Sequence, residues 1–372
     1  MTQVSPAVGS ADVLPRWRQE PRTQPGDTRP AYGPLGSLDP LGPLIDRFGR
    51  VHRHLRISIT DRCNLRCTYC MPAAGVSFGP RTEILTFEEI TRVATVAHRL
   101  GINALRITGG EPLLRPGAVE LIGALARIGF DDLALTTNGT RLAELADGLA
   151  RAGLQRVNLS CDSLRPERFA AIRRGGQLQT VLDAMDAAEA AGLRPVKVNV
   201  VLMAGTNDDE IVDFAAFARR TGRIVRLIEF MPLDAGGRWR QHLVVPSSDV
   251  LARIGARWPL EPLDGADTDV TAPATGYRFA DGAPGEIGVV ASVTQPFCGT
   301  CNRLRLTANG SVCNCLFSDD EHSVRAVLQD GGSDADIAAV FADAVRGKRA
   351  GHGKDEPGLL HPPRRSMSMI GG

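Results

Sequence analysis

Six times between His54 and Gly255 the chain passes from a short β-branched run through a polar loop into an amphipathic stretch closed by glycine. The alternating runs predict strands at 54–60, 103–108, 132–137, 155–160, 195–202 and 223–230. The intervening periodicity predicts helices at 86–100, 117–128, 141–152, 179–191, 208–221 and 247–254. Gly101, Gly129, Gly153, Gly192, Gly222 and Gly255 stand after these helices, where a left-handed residue ends a helix. Thr86 and Glu89 have capping-box spacing at the first. Successive βα units without a long antiparallel stretch imply an α/β fold with a parallel sheet, right-handed crossovers and helices on its outer face. Six units rather than eight suggest an incomplete TIM-type barrel, and a doubly wound open sheet is the alternative that periodicity leaves open.

Parallel barrels build their sites at strand ends, and these ends are chemically rich. Beyond the first strand lies DRCNLRCTYCMP, which sets Cys63, Cys67 and Cys70 within eight residues. A four-iron cluster takes four ligands, so three thiolates leave one iron open to a substrate. Zinc with a distant fourth ligand, or plain buried thiols, are the blander readings. Thr108-Gly109-Gly110-Glu111-Pro112, Thr137-Asn138-Gly139, Ser160-Cys161-Asp162-Ser163 and Glu229-Phe230-Met231 end four other strands and should converge on the cysteine loop. Paired glycines allow close backbone approach, and Ser, Asn and Asp can bond an amino acid or a ribose.

Cys298, Cys301 and Cys315 repeat the three-thiolate pattern, with Cys313 as a spare. All four together could close a structural zinc knuckle. Arg303 and Arg305 follow on one face of an extended strand, however, and paired guanidiniums suit phosphate or carboxylate. Arg56, Arg106, Lys197 and Arg226 place further cations in the predicted strands. Charges among apolar neighbours are costly unless answered, so a cavity receiving a polyanion would explain them. No P-loop pattern is present to hold a nucleotide by other means.

The chain as a whole narrows the setting. With 43 basic and 42 acidic residues in 372, it has no global field suited to nucleic acid or an anionic membrane. Its eight cysteines lie in close groups, as metal ligands in a reducing cytoplasm would, rather than as a disulfide framework. No apolar run reaches the roughly 18 residues that span a bilayer. Residues 1–43 carry eight prolines and read as a disordered extension. An organellar transit peptide is the competing reading, opposed by Asp12, Glu20, Asp27 and Asp39.

The Cys-x3-Cys-x2-Cys loop with an aromatic before its last cysteine, followed by Gly-Gly-Glu-Pro, resembles the radical S-adenosylmethionine (SAM) superfamily. The second group, PFCGTCNRLRLTANGSVCNCLF, and the terminus SMSMIGG are similar to the GTP 3′,8-cyclase family of molybdenum-cofactor biosynthesis, over residues 45–372. That resemblance implies a partial (βα)6 barrel at 44–260, closed by a smaller domain at 261–347 with a second cluster, and a tail at 348–372. It implies two 4Fe–4S clusters, on Cys63, Cys67 and Cys70 and on Cys298, Cys301 and Cys315, with Cys161 and Cys313 as non-ligands. Tyr69, Gly110, Ser160 and Met231 would line the SAM site. Arg56, Arg106, Thr137, Lys197, Arg303, Leu304 and Arg305 would meet GTP, with Arg303, Arg305, Gly371 and Gly372 taking part in catalysis.

The implied reaction runs through a 5′-deoxyadenosyl radical that takes hydrogen from C3′ of GTP, after which C3′ bonds to C8. Implied partners are a flavodoxin or ferredoxin reductant, cyclic pyranopterin monophosphate synthase downstream and a second copy in a homodimer. Two positions depart from the family pattern: Ala104 replaces a common lysine, and Cys161 a common aliphatic residue. A radical-SAM peptide maturase and a non-enzymatic zinc-binding scaffold are the competing functions.

Overall fold

Alternation along the first strand sorts its side chains between two environments. In β1 (His54–Ser58), Leu55 and Ile57 enter the apolar core while Arg56 takes the opposite face. A computed structural model describes residues 42–351 other than Ser77, 234–235 and 264–270, and then Met367–Ile370. The chain continues through α1 (Phe87–Arg99), β2 (Ala104–Thr108), α2 (Ala118–Ala126), β3 (Asp132–Thr137), α3 (Leu142–Arg151) and β4 (Arg156–Ser160). Then come α4 (Pro166–Arg173), α5 (Leu178–Ala190), β5 (Val196–Leu202), α6 (Ile211–Thr221), β6 (Ile224–Glu229) and α7 (Ser247–Gly255).

The strands lie side by side in chain order from β1 to β6, each parallel to the next. A doubly wound sheet would reverse direction part-way across, so this order selects the barrel. The capping box forms as expected: the Glu89 amide donates to Thr86 Oγ1 at 3.2 Å and the Thr86 amide to Glu89 Oε2 at 2.7 Å. Five of the helix-ending glycines take positive φ. Gly255 is the exception, because α7 carries it as a helical residue and ends at Ala256. The expected 208–221 helix opens with a 3-10 turn at Asp208–Glu210 before α6 begins.

Two features escaped the periodicity. An extra helix, α4, stands between β4 and α5. The later strands also continue the barrel sheet at both edges. After β7 (Leu260–Pro262) and β8 (Thr275–Phe279), β9 (Glu286–Val290) pairs parallel to β6. On the other side, β10 (Arg303–Leu306) pairs parallel to β1, followed by β11 (Ser311–Cys313) and β12 (His322–Ser323). Two helices follow, α8 (Val324–Gln329) and α9 (Asp334–Arg346). Leu304 and Leu306 join the core with Leu55, Ile57, Leu105 and Ile107. Burial of each such side chain stabilises by roughly 2 kcal/mol.

Candidate active site

The inner face of the sheet encloses a cavity of about 480 Å³. Arg56, Arg106, Ser160, Arg226, Val290 and Arg303 place β1, β2, β4, β6, β9 and β10 around it, so the sheet curls about this space. All six expected cluster cysteines line its wall, and every cysteine of the chain is a free thiol. The two triads stand at opposite ends of the strands. Cys63 follows the C-terminal end of β1, whereas Cys301 precedes Arg303, which is level with His54 at the start of β1. A strand rises about 3.3 Å per residue, so the five-residue β1 separates them by roughly 15 Å.

The first cysteine loop is held by backbone contacts that only small residues permit. Gly110 donates its amide to Thr60 O at 2.7 Å, and Glu111 to Arg62 O at 2.8 Å. A Cβ on Gly110 would lie 2.3 Å from Arg62 O. The close approach read from the paired glycines is therefore made to the chain's own loop, although Gly110 also lines the cavity. The Cys70 and Met71 amides donate to Cys67 O at 2.9 Å, closing the turn. Glu111, fully buried, accepts from Thr137 Oγ1 at 2.7 Å, the Asn138 amide at 2.6 Å and the Leu113 amide at 3.1 Å. This ties the loops after β2 and β3 together and commits the Thr137 hydroxyl to Glu111. Tyr69 lines the cavity and donates its hydroxyl to Asp162 Oδ2 at 2.9 Å, with Ser160 and Met231 in the same wall. Burial pushes the Cys67 thiol up to about 11 against the pull of Arg173.

Lys348 and Arg50 fasten the second cysteine group; sequence reasoning singled out neither. Lys348 Nζ donates to Arg303 O and Asn314 O, each at 2.8 Å, and lies 3.6 Å from Cys301 Sγ. Burial alone would raise the Cys301 thiol, but Arg303 and Lys348 outweigh it and bring it down to about 7. Arg50 reaches Cys298 O at 2.6 Å, Arg349 O at 2.7 Å and Ala350 O at 3.2 Å, while Asp46 Oδ2 accepts from its Nε at 2.6 Å. Cys313 is buried as the register partner of Arg305 and Cys161 is fully buried beside Ser163 O, and neither is among the residues that line the cavity. Gly371 and Gly372 lie outside the described residues. The turn before them returns to the site, with Met367 in the cavity wall and Ile370 buried.

A row of cations crosses the sheet between the triads. Arg305, Arg56 and Arg106 are register partners on three adjacent strands, and neighbouring strands are only about 4.8 Å apart. Burial and then repulsion from Arg305 and Arg106 push Arg56 well below the ordinary arginine value, and burial and then repulsion from Arg156 and Arg226 do the same to Arg106. Burial and Arg156 bring Arg226 to about 10, and a Cβ on Gly288 would lie 3.2 Å from its Cγ. Lys197 shares the inward face of β5 with the cavity residues Asn199 and Val201 but stands below the wall itself. Leu304 turns its side chain into the core, so only its main chain is available to a ligand. Arg106 Nε and Asn199 Oδ1 are buried without a partner among the described residues, as groups awaiting a polar ligand are.

These features fit the implied groups. Among the described residues no three His, Cys, Asp or Glu form a group able to hold one metal ion. The two sets of three free thiols in the cavity wall are the soft donors that an iron–sulfur cluster takes. A partial barrel with a cysteine triad beyond its first strand and a cavity reaching to its floor defines a radical SAM enzyme.

The comparisons agree. The Radical SAM superfamily pattern matches residues 57–218, and Molybdenum Cofactor Synthesis C matches 223–354. The chain is 44% identical over 339 residues to a GTP 3′,8-cyclase of Corynebacterium glutamicum, covering 88% of this chain and 89% of that one. It is 46% identical to one of Streptomyces coelicolor, covering 88% and 96%, and to GTP 3′,8-cyclase 2 of Mycobacterium tuberculosis, covering 89% and 92%. The chain belongs to the GTP 3′,8-cyclase family. Among solved structures, Streptococcus suis SuiB bound to precursor peptide SuiA matches with TM-score 0.57 at 14% identity, covering 81% of this chain and 69% of that one. Native anSMEcpe with bound AdoMet matches with TM-score 0.52 at 17% identity, covering 78% and 79%. At such identity these two establish the fold.

Proposed function

We infer that the chain converts GTP to (8S)-3′,8-cyclo-7,8-dihydroguanosine 5′-triphosphate, the first step of molybdenum-cofactor biosynthesis. The observation that carries this reading is a single cavity with a thiol triad at each end and a row of guanidiniums between them. Cys63, Cys67 and Cys70 would hold one 4Fe–4S cluster, and Cys298, Cys301 and Cys315 the other. Bound there, the first cluster and SAM supply a 5′-deoxyadenosyl radical able to take the C3′ hydrogen of GTP.

The chain's own residues position the reactants. Tyr69, Gly110, Ser160 and Met231 line the SAM end. Arg56, Arg106, Arg226, Arg303 and Arg305 face the space where a triphosphate would answer their charge, with Lys197 beneath. Thr137 and the Leu304 main chain complete the proposed contacts. Val201, Ile228 and Val290 make part of the wall apolar, which keeps water from a radical. Arg303 and Arg305 orient the nucleotide, and Gly371 and Gly372 could enter among them because they carry no side chain.

The reading extends to residues 44–260 as the barrel and 261–347 as its closing domain, with 348–372 as a tail. It places the chain in the cytoplasm as a homodimer, reduced by a flavodoxin or ferredoxin and supplying cyclic pyranopterin monophosphate synthase. Among the described residues no helix is long and apolar enough to cross a membrane. Anaerobic incubation of reconstituted protein with SAM, dithionite and GTP tests the activity. Formation of 5′-deoxyadenosine should accelerate when GTP is added; equal rates with and without GTP would sink the cyclase reading.

A further inference from the structure

Arg173 is a buried cation beside the first cysteine loop that none of the roles above employs. It occupies the last turn of α4, is 1% exposed, and stacks over Phe169 with 4.8 Å between its guanidinium carbon and the ring centre. One donor reaches Asn138 O at 3.2 Å. Its buried Nε has no hydrogen-bond partner, and among the described residues no carboxylate stands at ion-pair distance, buried Asp162 and Glu111 acting on it only from further away. A guanidinium left so in a protein interior is costly unless a negative group answers it. Yet Arg173 lines the cavity next to Cys63, Cys67, Tyr69 and Cys70.

The same turn also builds the loop. Arg66 donates its amide to Arg173 O at 3.2 Å, and Thr68 donates to Ile172 O at 2.9 Å. Arg174, held at φ 52°, donates Nη1 to Arg66 O at 3.1 Å and to Met71 O at 2.9 Å. The buried cation is thus locked to the segment that carries Cys67.

We propose that Arg173 is a positioning residue and the built-in counter-ion of the first cluster, its guanidinium offsetting the negative charge of the Cys67 thiolate and the cluster sulfurs. Hydrogen bonds and positive charge near cluster sulfur favour the reduced state, so Arg173 raises the reduction potential and eases entry of the electron that the cluster later passes to SAM. This rests on the assignment of a cluster to Cys63, Cys67 and Cys70, but not on GTP as substrate.

Two variants of similar bulk separate charge from packing. Arg173→Met fills the space without charge, and Arg173→Lys keeps the charge without the planar fork. In full-length, anaerobically reconstituted enzyme without GTP, the readouts are iron per chain, the potential of the SAM-perturbed cluster by EPR-monitored titration, and SAM cleavage rate. The expected result is wild-type iron in both variants, a lower potential in Arg173→Met and, because a limiting reductant then reduces less of its cluster, about 10-fold slower cleavage under that condition, with most of both recovered by Arg173→Lys. An unchanged potential in Arg173→Met, or a potential lost in Arg173→Lys but kept in Arg173→Met, would overturn the counter-ion role. So would loss of about four irons from both variants, which would make loop geometry rather than charge the function of this residue. Failure of GTP to stimulate turnover would refute the cyclase reading and leave these potentials interpretable.

Discussion

Like charges on directly opposed strands repel, yet Arg305, Arg56 and Arg106 stand in one row across three strands. A polyanion in the cavity converts that cost into binding energy. Arg303, which stacks on Phe297 and donates to Thr271 O at 2.9 Å, is already positioned at the rim of the row. Removing it with Arg303→Ala should raise the KM for GTP by roughly 10-fold or more, the worth of a charge-assisted hydrogen bond, while iron content stays at the wild-type level. An unchanged KM would remove Arg303 from the nucleotide site. The row was legible in the sequence because period-2 alternation puts residues 303 and 305 on one face and because arginine is conspicuous in an apolar strand. Lys348, Arg50 and Arg173 were not legible. Each acts across a long sequence separation or from a helix whose charged residues look like a solvated face, and no local spacing marks them.

Among the elements, α4 is the clearest loss to sequence reasoning. PERFAAIR spans eight residues with charges on several sides, so it lacks the one-sided stripe that marks a packed helix. Its end nevertheless holds the first cysteine loop through Ile172 O and Arg173 O. The edge strands were missed for a related reason: β11 and β12 have three and two residues, too few for periodicity to register. By contrast the six long βα units, with β-branched strands and glycine stops, left little ambiguity. The loop after β2 is rigidly specified, since Gly110 has backbone rather than a flexible side chain in its way. Gly110→Ala should therefore displace the Asp61–Arg62 backbone and the cysteines beyond it. Iron analysis of a folded variant should fall from about eight to about four per chain, with the second cluster retained. Full iron content would mean that the loop tolerates the shift.

At the scale of the whole molecule, one curled sheet does the work of bringing two thiol triads to a common space. Beyond β6 the sheet adds β9, and beyond β1 it adds β10, so the strand that carries Arg303 and Arg305 is hydrogen-bonded to the one that carries Arg56. The sequence could place each triad in a loop and each arginine on a strand, but the parallel docking of β10 against β1 is a long-range pairing that spacing does not encode. That pairing sets the roughly 15 Å between the triads, enough for SAM and a nucleotide to meet end to end. Oriented contact in a closed cavity is the source of rate and selectivity in this account. It is tested most directly with GTP carrying deuterium at C3′, incubated anaerobically with SAM, dithionite and the reconstituted enzyme. The account predicts 5′-deoxyadenosine containing one deuterium, formed together with cyclised nucleotide; unlabelled 5′-deoxyadenosine beside the cyclised product would contradict it.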